Sequence, residues 1–300
     1  MKVRCDENGI HLFDRVTGLN ILVDEVSVPP GGRHSAPRFV SIALTNACDL
    51  SCHFCYAPKT GARLDLESVL SWAVELDDAG CLGLGFGGGE PTLHPDFPKI
   101  CRRVAEETNL AVSFTTHGHR VTEQLAEELT GVVHFVRISL DGVGATYERI
   151  RGRSFEDLLD SLDLVRTVAP FGVNYVVNAE TIGDLDAAAR LAFDRGAFEL
   201  LLLPESPVND RPGIDLATSQ ALSRWIEHNY HYRLAISAAA ATDGLPIADP
   251  FSAGNSLDAF AHVDAAGWLR ASSFSRVGTP IQPSLGAALC TLRSMMGEAT

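Results

Sequence analysis

Lysine is nearly missing from this chain of 300 residues: only three of its 24 basic side chains are Lys, and the rest are Arg. Basic charge as a whole is short, since 38 acidic residues leave a formal net charge of −14. Nucleic acid is therefore excluded as the main partner, because phosphate backbones are held by basic surfaces. Long apolar runs are also missing. The longest, around Leu200–Leu203 and Ala235–Ala241, fall far short of the roughly 20 residues that a membrane-spanning helix needs. Residues 1–10 carry Lys2, Arg4, Asp6 and Glu7 and no apolar core, so no secretory signal is read and a cytoplasmic protein is expected. A disulfide framework is absent as well. Seven cysteines are an odd number, and three of them fall within eight residues, which points to a reducing compartment and to ligation.

Hydrophobic residues make up 46% of the chain and mean hydropathy is +0.08, enough for a sizeable core and too apolar for disorder. Six strand-then-helix units follow one another from about residue 38 to 230. The strands are read at Phe39–Leu44, Cys81–Phe86, Leu110–Thr116, Val132–Leu140, Gly172–Asn178 and Phe198–Leu203. Between them lie helical patterns, two with clear start signals: Asp65 before Leu66, Val69, Leu70 and Ala73, and Ser154 with Asp157 before Leu158, Leu162 and Val165. Strict alternation predicts a parallel sheet. Eight such units need about 250 residues, so the expected fold class is α/β, a partial (β/α)6 TIM-like barrel. An N-terminal β-hairpin from Ile10–Phe13 and Asn20–Val23 is expected within residues 1–37. An α/β extension over residues 231–300 should contain short strands at Arg233–Ala238, Phe260–Val263 and Trp268–Ala271 and a helix near Leu285–Met296. No repeat is found, and Ala238–Ala241 is the one low-complexity stretch.

Cys48, Cys52 and Cys55 form a CxxxCxxC pattern directly after the first barrel strand. A structural zinc ion wants four protein ligands, and His53, placed between two thiols in sequence, is badly placed to complete a tetrahedron. Three thiolates suit a [4Fe–4S] cluster with one iron left for an external ligand, whereas clusters used only for electron transfer take four cysteines. Phe86-Gly-Gly-Gly-Glu-Pro-Thr92 ends the next strand. On a parallel barrel both loops lie at the C-terminal rim, where active sites collect, and consecutive glycines let a ligand approach the backbone. Gly83, Gly85 and Gly88 also satisfy GxGxxG, but Glu90 would set a negative charge where a pyrophosphate should lie. A plain tight turn is the remaining alternative.

With the Cys48–Cys55 loop, Gly88-Gly89-Glu90-Pro91, Ser139-Leu-Asp-Gly142, Arg151-Gly152 and Val176-Val-Asn178, the chain resembles the radical S-adenosylmethionine (SAM) superfamily. Within it the subgroup with SPASM or twitch extensions is nearest. The resemblance implies one [4Fe–4S] cluster on Cys48, Cys52 and Cys55, with the amine and carboxylate of SAM on the fourth iron. It implies SAM contacts from Phe54, Gly88, Gly89, Glu90 (toward the ammonium), Ser139, Arg151, Asn178 and Leu203. Ser139 can equally end a strand. Arg151, beside Arg149 and Arg153, can equally belong to a solvated face or a substrate-carboxylate site.

The implied activity is reductive cleavage of SAM to a 5′-deoxyadenosyl radical, which takes a hydrogen atom from a peptide or natural product during cross-linking, epimerisation or dehydrogenation. A sugar, nucleoside or amino-acid substrate is the first alternative, and a non-catalytic iron–sulfur or zinc protein the second. The electron donor would be of flavodoxin or ferredoxin type, which on so acidic a protein needs a local basic dock. His117, in Thr116-His-Gly where the family often has Thr-Asn-Gly, is a candidate catalytic residue near the cofactor mouth or else a surface-turn histidine. Residues 259–296 read as a SPASM-like hairpin and helix without auxiliary-cluster cysteines, expected to act as a lid. Cys290 is the sole thiol there, either a hydrogen-atom donor or a packed residue on a stripe with Leu289, Leu292 and Met296.

Overall fold

The computed structural model describes residues 1–208, 211–236 and 256–297. Three short antiparallel strands come first: β1 (Lys2–Asp6), β2 (Gly9–Phe13) and β3 (Asn20–Val23), with Val3 opposite Leu12 and Leu12 opposite Ile21. The expected hairpin is thus corrected to a three-stranded sheet. β1 escapes an apolar-periodicity reading because its inward positions are charged. Lys2 pairs with Asp77, Arg4 Nη1 donates to the Gly80 carbonyl at 3.0 Å, and Asp6 receives Arg4 Nε at 3.2 Å and Arg38 Nη2 at 2.9 Å. From the β2–β3 turn, Arg15 donates to the carbonyls of Ala105, Thr108 and Leu110. These contacts fasten the small sheet to the end of the main body opposite the strand C-termini.

The main body follows the predicted alternation. Its strand–helix units are β4 (Phe39–Thr45) and α1 (Leu66–Asp78), β5 (Gly83–Gly88) and α2 (Phe97–Glu107), β6 (Ala111–Thr116) and α3 (Glu123–Leu129), then β7 (Phe135–Ser139) with α4 (Ala145–Arg151) and α5 (Phe155–Val168). Next come β8 (Phe171–Val177) and α6 (Leu185–Asp194), and β9 (Glu199–Pro204) and α7 (Leu216–Asn229). Asp65, Thr122 and Ser154 cap α1, α3 and α5 by accepting from Ser68, Leu125 and Asp157 N–H groups, satisfying donors that a helix start leaves open. Strands β4 to β9 pair in parallel in chain order, and β10 (Leu234–Ile236) adds to β9. The rest of the predicted Arg233–Ala238 strand and the Ala238–Ala241 stretch lie outside the described residues.

Side chains on these strands alternate. Val40, Ile42, Leu44, Phe86, Phe114, Ile138, Tyr175 and Leu202 are buried beneath the helices. The opposite, concave face carries smaller or polar residues such as Ser41, Gly85, Gly87, Ser113 and Asn174, with Arg137 bonded across it to Asn174 and Glu199. The core therefore sits between sheet and helices, leaving the concave face half-open.

After α8 (Ser256–Ala259), β11 (Phe260–Val263) pairs in parallel with β4, and β12 (Trp268–Arg270) and β13 (Gly278–Pro280) continue the same sheet antiparallel. The ten-stranded sheet runs from β10 to β13 without closing among the described residues. Helix α9 (Leu285–Met296) buries Leu285, Ala288, Leu289 and Leu292 in the helical layer, where Glu75 of α1 accepts from its first N–H groups. The described C-terminal part is therefore an edge extension with an outer helix. Only its 271–277 loop reaches the Cys48–Cys55 loop, where Phe274 meets Tyr56 at 4.7 Å between ring centroids.

Candidate active site

The three clustered cysteines lie on a loop that leaves β4 and is drawn shut at its neck. Asn46 N donates to Ala62 O and Leu64 N to Leu44 O, both at 2.9 Å, and Asn46 Nδ2 reaches Thr60 Oγ1 at 2.9 Å. Inside the loop Cys55 N donates to Cys52 O at 3.1 Å. All three thiols are half-buried. Leu50 N donates to Cys48 Sγ at 3.4 Å, and Arg151 Nη1 to Cys52 Sγ at 3.5 Å. Burial pushes the Cys48 and Cys52 thiols up from their ordinary value, so a bound cation is what would draw off the protons. His53 is not gathered in; its Nε2 faces Glu180 Oε1 at 3.0 Å.

The Gly-Gly-Glu segment is zipped to the start of that loop. Gly89 N donates to Thr45 O at 2.7 Å and Glu90 N to Ala47 O at 2.8 Å. A Cβ on Gly88, which has φ +120°, would overlap the Thr45 carbonyl oxygen, and one on Gly89 would overlap that of Ala47. Only glycine permits so close an approach of two backbones. Gly87 instead faces open space. The Glu90 carboxylate is 1% exposed. It accepts from Thr92 Oγ1 at 2.7 Å, Thr116 Oγ1 at 2.8 Å and His117 N at 2.9 Å.

His117 is buried rather than on a surface turn, with Nε2 2.9 Å from Asp49 Oδ1 and 3.4 Å from Glu90 Oε2. Cys48, Asp49 and His117 hold ligand atoms within 4.8 Å of one another, but Asp49 is already engaged by His117, Arg120 and Arg153. Sequence reading missed Asp49, whose partners are remote in the chain. It also missed the role of Asp141, although that residue lies inside a quoted motif.

Across the concave face, Ser139 ends β7 half-buried, and Leu203 points half-buried from β9. Asp141, 1% exposed, accepts from Val176 N at 2.6 Å and pairs with Arg151. Arg151 closes α4, a helix bounded by Gly144 and Gly152 at positive φ. Its guanidinium lies 5.8 Å from the centre of the Phe54 ring. Burial alone would lower its pKa, yet the Asp141 carboxylate and Cys52 hold it above the ordinary value. The arginine cluster is thereby split: Arg149 and Arg153 are exposed, while the Arg151 side chain is 10% exposed. Asn178 follows β8. Its Oδ1 accepts from Glu180 N and Thr181 N, and its buried Nδ2 has no protein partner, nor does Arg151 Nε.

Cys290 is exposed on α9, in the helical layer behind the sheet. The expectation that it packs in the core is corrected. The buried stripe runs through Leu285, Ala288, Leu289 and Leu292 and turns residue 290 outward, away from the concave face.

A family model described as the radical SAM superfamily matches residues 42–192. The AdoMet-dependent heme synthase of Methanosarcina barkeri is 26% identical over 203 residues, covering 64% of this chain and 58% of the synthase. Mycofactocin maturase MftC of Mycobacterium tuberculosis is 32% identical over 171 residues, 54% of this chain and 43% of the maturase. The chain spans about half the length of these curated relatives. Among solved structures, Streptococcus suis SuiB bound to its precursor peptide SuiA matches with a TM-score of 0.74 at 12% identity, over 96% of this chain and 86% of SuiB. SuiB bound to S-adenosylmethionine matches with the same TM-score at 13% identity, over 98% of this chain and 89% of SuiB. These two show the shared fold.

Proposed function

Because this chain belongs to the radical SAM superfamily, we propose that it modifies a peptide by SAM-dependent hydrogen-atom abstraction at the rim described above. The observation that carries the reading is the three-thiol loop zipped to Gly88-Gly89-Glu90 beside two buried, unpartnered donors, Asn178 Nδ2 and Arg151 Nε. Family membership implies a [4Fe–4S] cluster and SAM, and the residues fit both. Three thiols are a cluster donor set short of one ligand. The orphan donors suit the carboxylate and hydroxyl oxygens of SAM, because buried polar groups rarely stay unpaired.

Cys48, Cys52 and Cys55 would hold the cluster. Gly88, Gly89, Glu90, Ser139, Asn178, Leu203 and the Phe54 backbone would border SAM. Together, cluster and SAM supply one-electron cleavage chemistry that ends in removal of a hydrogen atom from a substrate C–H bond. The chain contributes orientation. Glu90 fixes the glycine segment against the end of β6 through its carboxylate, which accepts from Thr92, Thr116 and His117, and against the cysteine loop through its N–H. Phe274 of the C-terminal part touches Tyr56, next to Cys55, at the edge of this loop. A peptide substrate is favoured by the likeness to MftC and to SuiB, the latter seen with a precursor peptide. The same reading takes residues 38–230 as the catalytic barrel, 1–37 and 231–300 as its flanks, and a flavodoxin- or ferredoxin-type protein as reductant.

Anaerobic reconstitution should give about four irons per chain, and SAM with dithionite should release 5′-deoxyadenosine. Replacing Cys48, Cys52 or Cys55 by Ala should abolish both. Peptides encoded beside the gene, incubated with the loaded enzyme in deuterated water, should change mass, by loss of hydrogen or by gain of one deuterium at an inverted carbon. Modification of a porphyrin instead, as the likeness to the heme synthase would have it, overturns the peptide assignment, and a loaded cluster that yields no 5′-deoxyadenosine overturns the whole reading.

A further inference from the structure

We propose that Arg151, locked by Asp141, is a tuning residue for the cluster, donating a charge-assisted hydrogen bond to the Cys52 sulfur and raising the cluster's reduction potential. The inference rests on the cluster assignment above and goes beyond it, since Arg151 entered as a contact for SAM.

The guanidinium is placed by four independent restraints. Nη1 lies 3.5 Å from Cys52 Sγ. Nη2 is paired with the Asp141 carboxylate, which is itself pinned by Val176 N at 2.6 Å. The flat group stands over the Phe54 ring, two residues past Cys52 in the same loop. Gly152, at φ +65°, ends α4 immediately after it, so the side chain leaves from a helix terminus with little freedom to move. A guanidinium is always charged and presents its donors as a rigid fork. With one arm spent on Asp141, the other is aimed at sulfur.

The physical consequence follows from charge. Reducing a [4Fe–4S] cluster adds one negative charge, part of which spreads onto the thiolate sulfurs. Hydrogen bonds to those sulfurs and nearby positive charge favour the reduced form and raise the potential. Burial strengthens the effect, because the field of a guanidinium only 10% exposed is poorly screened. Arg120 and Arg153 are spent on Asp49, whereas Arg151 donates to a cysteine sulfur of the loop itself. Its Nε, buried and unpartnered in the protein, remains available to an anionic ligand at the same time.

The test is a redox titration of the reconstituted, SAM-free protein, followed by the electron paramagnetic resonance signal of the reduced cluster. Arg151→Met keeps the length and removes the charge. It should bind iron at the wild-type ratio yet show a midpoint lower by at least about 59 mV, a tenfold drop in the reduced-to-oxidised ratio for one electron. Arg151→Lys keeps charge without the fork and should fall between the two. Arg151→Gln keeps an amide donor but no charge, so it should shift the midpoint the same way by a smaller amount. It also decides the matter if Arg151→Met cannot be loaded. An Arg151→Met protein with full iron and an unchanged midpoint overturns the tuning role, as does Arg151→Gln with an unchanged midpoint where Arg151→Met fails to load. Weakened SAM binding without a change in midpoint overturns it too, and returns Arg151 to the SAM site. Wild-type protein that binds no four-iron cluster overturns the proposed function itself, a distinct failure.

Discussion

Glu90 shows how one side chain can organise two loops. Its carboxylate takes hydrogen bonds from Thr92, Thr116 and His117, so the end of β6 and the glycine segment share a single acceptor. Glu90→Ala would strand the Thr116 hydroxyl and the His117 N–H in a dry place. That should cost about 1–3 kcal/mol in urea unfolding, while iron content stays at the wild-type value because Glu90 is not a thiol ligand. SAM retention, measured by equilibrium dialysis, should fall with it. The gathering of Cys48, Cys52 and Cys55 on one loop was legible from spacing alone, since CxxxCxxC is a local pattern. Asp49 was not, because its partners His117, Arg120 and Arg153 lie 68, 71 and 104 residues away. Cys290 was misjudged because apolar residues on either side of it allow two helical stripes, and only packing against α1 selects between them.

At the level of elements, six βα units could be read because caps and alternation agree along the chain. Four elements escaped, β1, α4, α8 and β13, and the first two show why. β1 turns charge inward, where Asp77, Asp6 and the Gly80 carbonyl receive it. α4 is seven residues between glycines, too short for periodicity, yet it delivers Arg151. A close tolerance between elements lies where the end of β5 passes the cysteine loop. Gly89→Ala should force the Ala47 carbonyl aside and break the Glu90 N–H bond to it. The expected outcome is a protein that folds, with helical circular dichroism near wild type, but that loses most of its iron on desalting. Full iron retention would mean that the two backbones are free to separate.

For the whole molecule, acid is expected to act in part through the seam between β4 and β11. His262 on β11 is 6% exposed, meets Ser41 Oγ at 2.7 Å, and has its pKa lowered to about 4 by burial. An unfolded histidine protonates near 6.5. The neutral buried ring therefore supports the fold fully above that value, and the support drains away as pH falls from 6.5 toward 4, where the unfolded chain binds a proton that the native one refuses. Between pH 7 and 5 the wild type should lose roughly 2 kcal/mol from this group, read from urea midpoints. His262→Gln should be less stable at pH 7 but lack that slope. An equal slope in both proteins would assign the acid sensitivity elsewhere.

The placement of β11 beside β4 also has a consequence in time. β4, which launches the cysteine loop, is the first strand of the main sheet to be made, and one of its two neighbours is among the last. While the chain is being synthesised, β4 has β5 on one side and a bare edge on the other, the kind of edge that invites pairing with other chains. Until β11 has been made, the cysteine loop is mounted on an unfinished border. Pairing of β11 turns that border into an interior seam.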